Sequence, residues 1–291
     1  MKMKSLILAL SVAMPVSAQA LTITTSNDAS ALANVLVGSG VGISNAVLVG
    51  AANQQGTFSG AAGAIGIDAG VILTTGNATL AVGPNNQDGA TGVTGTGSDP
   101  DLAALIPGLK LNDANVLEFD FTTSTGSLFF SYVFASEEYN EYVNSSFNDV
   151  FGFFVNGVNI ALIPGTTMPV AINTVNCGFS SGGALPGSNP QNCDKFNNND
   201  LQNGGPFFDI QYDGFTDVFV ASITGLSIGT HRIKLGIADG RDSSLDSAVF
   251  LKAGSFTDID PGNPTIPEPA TLALLGLGLA GLSFARRRKA G

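Results

Sequence analysis

Apolar and polar residues alternate through the middle of the chain with the two-residue period of β-strands. The alternation is strict over residues 117–122. After the turn sequence Ser124-Thr125-Gly126, large apolar side chains return at every second position over residues 128–134. Because side chains two residues apart share one face of a strand, each segment has an apolar face. The spacing predicts two antiparallel strands that pair through the short turn.

Further apolar segments predict the rest of the fold. Residues 150–155 and 158–163 flank Asn156-Gly157, a dipeptide that favours a type I′ hairpin turn. Other strands are predicted at residues 218–223, 231–238 and 247–256. Within residues 21–258, only residues 28–37 have a helical pattern, with Asp28 placed to cap the helix. These elements predict an all-β fold, a two-sheet antiparallel β-sandwich or jelly roll. A β-helix is the alternative, although no repeat of solenoid period is present.

The first twenty residues have the three parts of an export signal. Two lysines precede an apolar run over residues 6–14, and Ser17-Ala18-Gln19-Ala20 has the small residues of a cleavage site. This pattern predicts a signal peptide over residues 1–20 that signal peptidase removes, so that the mature protein begins at Leu21.

The C-terminal residues form a second targeting segment. Pro267, Glu268 and Pro269 precede an apolar segment over residues 270–285, and a basic cluster at residues 286–289 includes Arg286, Arg287 and Arg288. Sixteen residues span about 24 Å as a helix, slightly less than the hydrocarbon core of about 30 Å. The basic cluster stays cytoplasmic by the positive-inside rule. We therefore predict a transmembrane helix that anchors the protein transiently in an inner membrane.

This tail resembles the PEP-CTERM sorting signal. The resemblance implies that an exosortase, a membrane-embedded cysteine protease, processes the chain near the Pro-Glu-Pro tripeptide. It also implies delivery to the cell surface or extracellular matrix of a Gram-negative bacterium that makes exopolysaccharide. An ordinary tail anchor is the alternative, but it leaves the tripeptide unexplained. The predicted organisation is a signal peptide (1–20), a sandwich domain (21–258), a linker (259–266) and a sorting signal (267–291).

Five blocks of the predicted sandwich domain resemble the choice-of-anchor L domain. They are residues 56–59 (GTFS), 66–77 (GIDAGVILTTGN), 132–139 (YVFASEEY), 148–154 (NDVFGFF) and 242–251 (DSSLDSAVFL). The resemblance implies a surface protein whose body is combined with interchangeable sorting signals. It implies no established enzymatic activity.

The charge of the chain excludes one class of partner. The 291 residues include twelve Lys and Arg and 23 Asp and Glu, which gives a net charge of −11. Nucleic-acid binding needs clustered basic residues, so we expect none here. Six of the twelve basic residues lie in the predicted signal peptide and sorting signal, which makes the exported body more acidic than the whole chain. An acidic surface repels polyanions and attracts cations.

Cys177 and Cys193 are the two cysteines of the chain. An even pair in an exported protein is most simply a disulfide. The bond would tie down the polar loop over residues 173–206.

Acidic residues cluster at the predicted strand ends. Glu137 and Glu138 follow one strand and Asp149 precedes the next, whereas Asp239, Asp242 and Asp246 lie in the turn before the final strand. Calcium requires six to eight hard oxygen ligands of this kind. We therefore predict a calcium site formed by Glu137, Glu138, Asp149, Asp242 and Asp246. The alternative is that these residues are solvated loop carboxylates without a metal.

Enzymatic chemistry has little support in the sequence, and no catalytic residue is assigned. His231 is the single histidine, so a triad or zinc site would depend on it alone, and a packed histidine is the expected role. A glycosidase is the alternative, with Glu137 or Glu138 paired with Asp149 or Asp246 and with Tyr139 or Tyr142 as a sugar platform. The expected function is a structural or adhesive protein of the cell surface or exopolysaccharide matrix, with exopolysaccharide or other surface proteins as partners.

Overall fold

The computed structural model describes residues 20–262. The first nineteen residues of the predicted signal peptide lie outside this range, as do residues 263–266 of the predicted linker and the predicted sorting signal. The domain boundaries therefore stay a prediction. No helix in the described range is long and apolar enough to span a bilayer.

Strands are the main elements of the described range. They are β1 (Thr22–Thr25), β2 (Val41–Val49), β3 (Gln55–Ser59), β4 (Ala69–Thr74), β5 (Leu111–Thr123), β6 (Leu128–Ser136), β7 (Val150–Val155), β8 (Val158–Asn159), β9 (Val170–Ala171), β10 (Phe196–Asn198), β11 (Gly214–Thr216), β12 (Phe219–Ile223), β13 (His231–Gly240) and β14 (Ser247–Lys252). The helices are α1 (Ala29–Leu36), α2 (Ala62–Ile65) and α3 (Pro100–Leu105), and 3₁₀ turns cover Ala78–Ala81 and Cys193–Lys195.

These strands form two antiparallel sheets, which confirms the all-β two-sheet prediction. The first sheet has eight strands in the order β1-β3-β4-β14-β6-β11-β10, and β12 also pairs with β6. The second has six strands in the order β2-β5-β13-β7-β8, and β9 also pairs with β7.

The core between the sheets is rich in aromatic residues. Phe130 of β6 lies 4.8 Å from Phe153 of β7, and Tyr132 lies 5.1 Å from Phe151, measured between ring centroids. All four side chains are fully buried. Burying one such side chain stabilises a fold by about 1.5–3 kcal/mol, so this layer is a main source of stability.

The predicted pairing of β5 with β6 is wrong. β5 pairs with β2 and β13 in the second sheet, whereas β6 pairs with β14, β11 and β12 in the first. The apolar faces of both strands contribute to the same buried core. A hairpin would place these faces side by side in one sheet, but here they belong to opposite layers. Alternation shows which face of a strand is buried, but it does not show which strands pair in the same sheet.

Predictions from local turn and cap chemistry agree with the structure. Asn156 and Gly157 both have positive φ, at 50° and 83°, and join β7 to β8 as a type I′ turn requires. Asp28 caps α1 by accepting a hydrogen bond from the Ala31 amide at 2.9 Å. The expectation of a single helix is wrong, because α2 and α3 are also present. Asp99 caps α3, with Pro100 in its first turn.

A disulfide joins Cys177 to Cys193 and closes a loop with a sequence separation of 16. It lies in the segment between β9 and β11, residues 172–213, here called the insert. In the chain-entropy description, closing a loop of this length lowers the conformational entropy of the unfolded chain, which stabilises the folded state by about 3 kcal/mol.

We expect neither cysteine of the native protein to react with an alkylating agent in the absence of reductant, because both sulfurs are bonded. Intact mass before and after treatment checks this. The same treatment after reduction in denaturant is the control and should add two alkyl groups. Double alkylation without reductant would contradict the bond.

Candidate metal centre

Acidic side chains gather where strands of both sheets end. In the first sheet Ser136 pairs with Ser247, which places Glu137 close to Asp246. In the second sheet Val150 pairs with Ala238, which brings Asp149 beside the end of β13. Antiparallel pairing thus brings residues that are far apart in sequence to one edge of the sandwich. We call Glu137, Glu138, Asp149, Asp239 and Asp246 the edge cluster.

Asp149 connects the two sheets directly. Its Oδ1 accepts a hydrogen bond from the Gly240 amide of β13 at 2.9 Å, and its Oδ2 accepts one from the Ser247 hydroxyl of β14 at 2.6 Å. β13 belongs to the second sheet and β14 to the first. The Asp149 carboxylate therefore links the two sheets through hydrogen bonds.

Asp239 lies within β13, so its predicted place in a turn is wrong. The register between β13 and β5 shifts between Ile237 and Asp239, as at a β-bulge, which re-aims nearby side chains. The side chain is fully buried, and neither carboxylate oxygen accepts a hydrogen bond of normal geometry.

A glycine-rich loop over residues 89–97 crosses the edge cluster and donates backbone hydrogen bonds to it. The Gly92 amide donates to Asp246 Oδ1 at 3.0 Å, and the Gly89 amide donates to Glu137 Oε2 at 3.3 Å. Gly76 also leaves room for this site, because a Cβ at position 76 would overlap the Asp246 carboxylate. These contacts orient the carboxylates and satisfy only part of their hydrogen-bonding capacity.

Burial raises the pKa of every carboxyl group in the edge cluster. The pKa of Asp246 rises to about 6, that of Asp149 to about 7, that of Glu137 to about 8 and that of Glu138 to about 10. Burial also raises the pKa of Asp239 well above its usual range. Repulsion between neighbouring carboxylates adds to each shift, as between Asp149 and Glu138.

The edge cluster has no basic partner in the described range. The salt bridges of residues 20–262 involve Lys195, Arg232 and Lys234, and none includes an edge-cluster carboxylate. An unpaired charge taken out of water costs several kcal/mol. A bound cation is one way to offset that cost.

Several carboxylate oxygens of the edge cluster are buried and have no hydrogen-bond partner of normal geometry. They are Oε1 of Glu137, Oε2 of Glu138, both oxygens of Asp239 and Oδ2 of Asp246. Most buried polar atoms in folded proteins have a partner, so a group of exceptions at one edge needs an explanation. Carboxylate oxygens are the ligand type that calcium prefers, but among the described residues no three edge-cluster carboxylates place an oxygen within 4.8 Å of one another.

A family model described as the choice-of-anchor L domain matches residues 20–257. The chain belongs to the choice-of-anchor L family. A second model, the PEP-CTERM protein-sorting motif, matches residues 265–289. No curated protein and no solved structure matches the chain. This choice-of-anchor L protein is thus exported and sorted to the cell surface, and its motif implies processing by an exosortase.

Four predicted ligands of the choice-of-anchor L domain, Glu137, Glu138, Asp149 and Asp246, are at most 2% exposed and lie in the edge cluster. Asp242 is half-buried, and its charge contributes to the raised pKa of Glu138 and Asp149. Whether these residues bind calcium stays a prediction. The predicted set omitted Asp239, although an acid so close to Asp242 and Asp246 was a usable signal.

Three further buried or clustered acids were not found by sequence reasoning. They are Asp88, Asp200 and Asp213, which lie in loops without strand periodicity. The asparagine run before Asp200 was the one available signal of a polar site.

The same burial argues against the proposed glycosidase pairs of the choice-of-anchor L domain. A catalytic carboxyl group must contact the sugar, but the four candidates are at most 2% exposed. Tyr139 is fully buried and cannot be a sugar platform, whereas Tyr142 is 38% exposed.

His231 is a packed histidine, as predicted. It is buried on β13, with Nδ1 2.9 Å from the Asn156 side-chain amide and Nε2 2.9 Å from the Ser227 carbonyl oxygen. Both ring nitrogens are therefore engaged in structural hydrogen bonds.

Proposed function

We propose that this protein is a calcium-stabilised structural or adhesive module of the bacterial surface or exopolysaccharide matrix. The observation that carries the proposal is the group of buried, unpartnered carboxylate oxygens at the edge where both sheets end. Export and surface sorting follow from the two family matches.

The chemistry of the donors supports calcium over softer metals. The edge cluster offers carboxylate oxygens only, whereas zinc and copper sites use cysteine or histidine ligands. Calcium accepts six to eight oxygens in flexible geometry, so carboxylates from several loops are suitable. Extracellular modules bind calcium with dissociation constants of about 0.1–1 mM, which matches the destination of an exported protein.

The position of the cluster supports a structural role. Asp149 is hydrogen-bonded to both sheets, so an ion bound beside it would act on both layers at once. The ion would also offset the repulsion between buried carboxylates. Its ligands are almost inaccessible to solvent, as expected of an ion that stabilises a fold.

Carbohydrate binding is the second candidate function. A cleft of about 140 Å³ is lined by polar side chains and by Tyr142, which packs against Phe147 at 5.4 Å between ring centroids. A partly exposed aromatic ring beside polar groups is a suitable surface for a sugar. Retention of the protein on immobilised exopolysaccharide, and its loss in Tyr142→Ala, would support this role.

Isothermal titration of the purified, chelator-treated protein with calcium chloride tests the proposed function. We expect saturable binding with a dissociation constant of about 1 mM or lower. Magnesium should bind more weakly, because it demands octahedral geometry and keeps its water ligands. Asp68→Asn, which removes an exposed acid, is the matched control and should bind calcium like wild type. Absence of binding at millimolar calcium would contradict the proposal.

A further inference from the structure

A second group of carboxylates lies next to the edge cluster. One oxygen from each of Asp88, Asp200 and Asp213 lies within 4.8 Å of the other two. Asp200 and Asp213 are at most 1% exposed, whereas Asp88 is exposed. We call these three residues the insert cluster, because Asp200 and Asp213 belong to the insert.

Amide groups fix the geometry of the insert cluster. The Asn85 side chain donates to Asp213 Oδ1 at 2.6 Å, and the Gln202 backbone amide donates to Asp200 Oδ1 at 2.6 Å. Asp200 Oδ2 accepts a hydrogen bond from the Asn140 side chain at 3.1 Å. The Gln202 side chain donates to Asp88. The carboxylates are thus held together by neutral donors, and their charges are not neutralised.

Unpartnered oxygens provide a second, independent observation. Asp213 Oδ2 is buried without a hydrogen-bond partner, and so is Oδ1 of Asn140, the residue that donates to Asp200. The salt bridges within residues 20–262 include none of the three aspartates. Three ionised acids at this separation repel one another, and either a proton or a cation between them relieves that repulsion.

We propose that Asp88, Asp200 and Asp213 bind a second divalent cation of the calcium class, which holds the insert against the sandwich. Asp200 follows β10, Asp213 precedes β11, and Asp88 comes from the loop before the glycine-rich segment. One ion would therefore join the insert to a loop more than a hundred residues earlier in the chain. The adjoining cleft of about 140 Å³, lined in part by Asp88 and Glu141, leaves room for water ligands.

This site goes beyond the proposed function, since neither its residues nor its role depends on calcium in the edge cluster. Glu137 is close to both clusters, because it lines the same cleft as Asp88 and its backbone amide donates to the Asp246 carbonyl oxygen at 3.1 Å. The test therefore uses residues that belong to one cluster only.

Counting bound calcium in the purified protein tests the second site. We expect Asp213→Asn to bind one ion fewer than wild type in isothermal titration, and Asp239→Asn to lose a different ion. Subtilisin cleavage of the exposed insert residues 181–184 reports on the insert itself. Calcium should slow this cleavage at least tenfold in wild type and in Asp239→Asn, and should have no effect in Asp213→Asn.

Asp209→Asn is the matched control, because it removes an exposed acid of the insert outside the cluster and should behave like wild type. If Asp213→Asn does not fold, the exposed Asp88 provides the test: Asp88→Asn should weaken one site at least tenfold. Wild-type stoichiometry together with wild-type protection in these variants would overturn the second site. Loss of an ion in Asp239→Asn alone would leave only the proposed function standing, and loss in Asp213→Asn or Asp88→Asn alone would leave only the second site.

Discussion

Asp239→Asn is expected to unfold at a higher temperature than wild type in chelator and at a lower temperature in millimolar calcium. The side chain is fully buried, and neither carboxylate oxygen accepts a hydrogen bond of normal geometry. Without an ion, the folded state must bury a charge or hold a proton, and an amide avoids both. With an ion, the same substitution removes a charged ligand. The two thermal unfolding curves should therefore shift in opposite directions.

The size of the calcium effect follows from linkage between binding and folding. An ion present at a hundred times its dissociation constant, as with about 10 mM calcium and a dissociation constant of about 0.1 mM, stabilises the folded state by about 2.7 kcal/mol. At about 2–4 °C per kcal/mol for a domain of this size, wild type should gain roughly 5–11 °C from one ion. Asp239→Asn should lose most of that gain, while its advantage in chelator should reach about 1 kcal/mol or more.

Asp68→Asn provides the control, because Asp68 is exposed and no shift of either curve is expected. A purely structural role for Asp239 would lower the unfolding temperature equally with and without calcium. Parallel shifts of this kind, or no calcium dependence in wild type, would refute the edge cluster as a metal site.

Local chemistry explains which parts of this fold were predictable. Asn156-Gly157 specifies its own turn, and Asp28 specifies a helix start, because each signal acts within a few residues. The partners of β5 and β6 were not predictable in the same way. Their alternation required a buried face, and either a shared sheet or two facing sheets would provide it.

The two candidate sites also differ in how far local sequence patterns predict them. Glu137, Asp149 and Asp246 were found because each flanks a strand with a clear pattern, and strand ends meet at the edges of a sandwich. Asp200 and Asp213 belong to an insert with little periodicity, so their approach to Asp88 depends on tertiary structure. Sequence also suggested solvated carboxylates as the alternative, whereas burial without partners is visible only in the fold.

The segment after β14 shows how far the folded body extends toward the sorting motif. Phe256 is fully buried between the sheets, with its ring centroid 5.3 Å from Phe119 and 5.4 Å from Phe121. Its backbone is also held, because the Phe256 amide donates to the Leu36 carbonyl at 3.0 Å. The predicted final strand over residues 247–256 ends earlier, at Lys252, but the chain beyond it still contributes to the core.

Phe256→Ala is therefore expected to destabilise the protein by about 3–5 kcal/mol, the usual cost of removing a buried phenylalanine ring. At about 2–4 °C per kcal/mol, the unfolding temperature should fall by roughly 6–20 °C. Phe207→Ala is the matched control, since Phe207 is 59% exposed and should cost less than about 0.5 kcal/mol. Denaturant titration of both variants measures the difference, and equal effects would contradict a core role.

The same reasoning predicts that truncation after Ser255 destabilises the body, because it removes Phe256. Truncation after Gly262 keeps Phe256 and should leave the stability of the body unchanged. The match to the sorting motif starts at residue 265, so the folded body ends only a short distance before it.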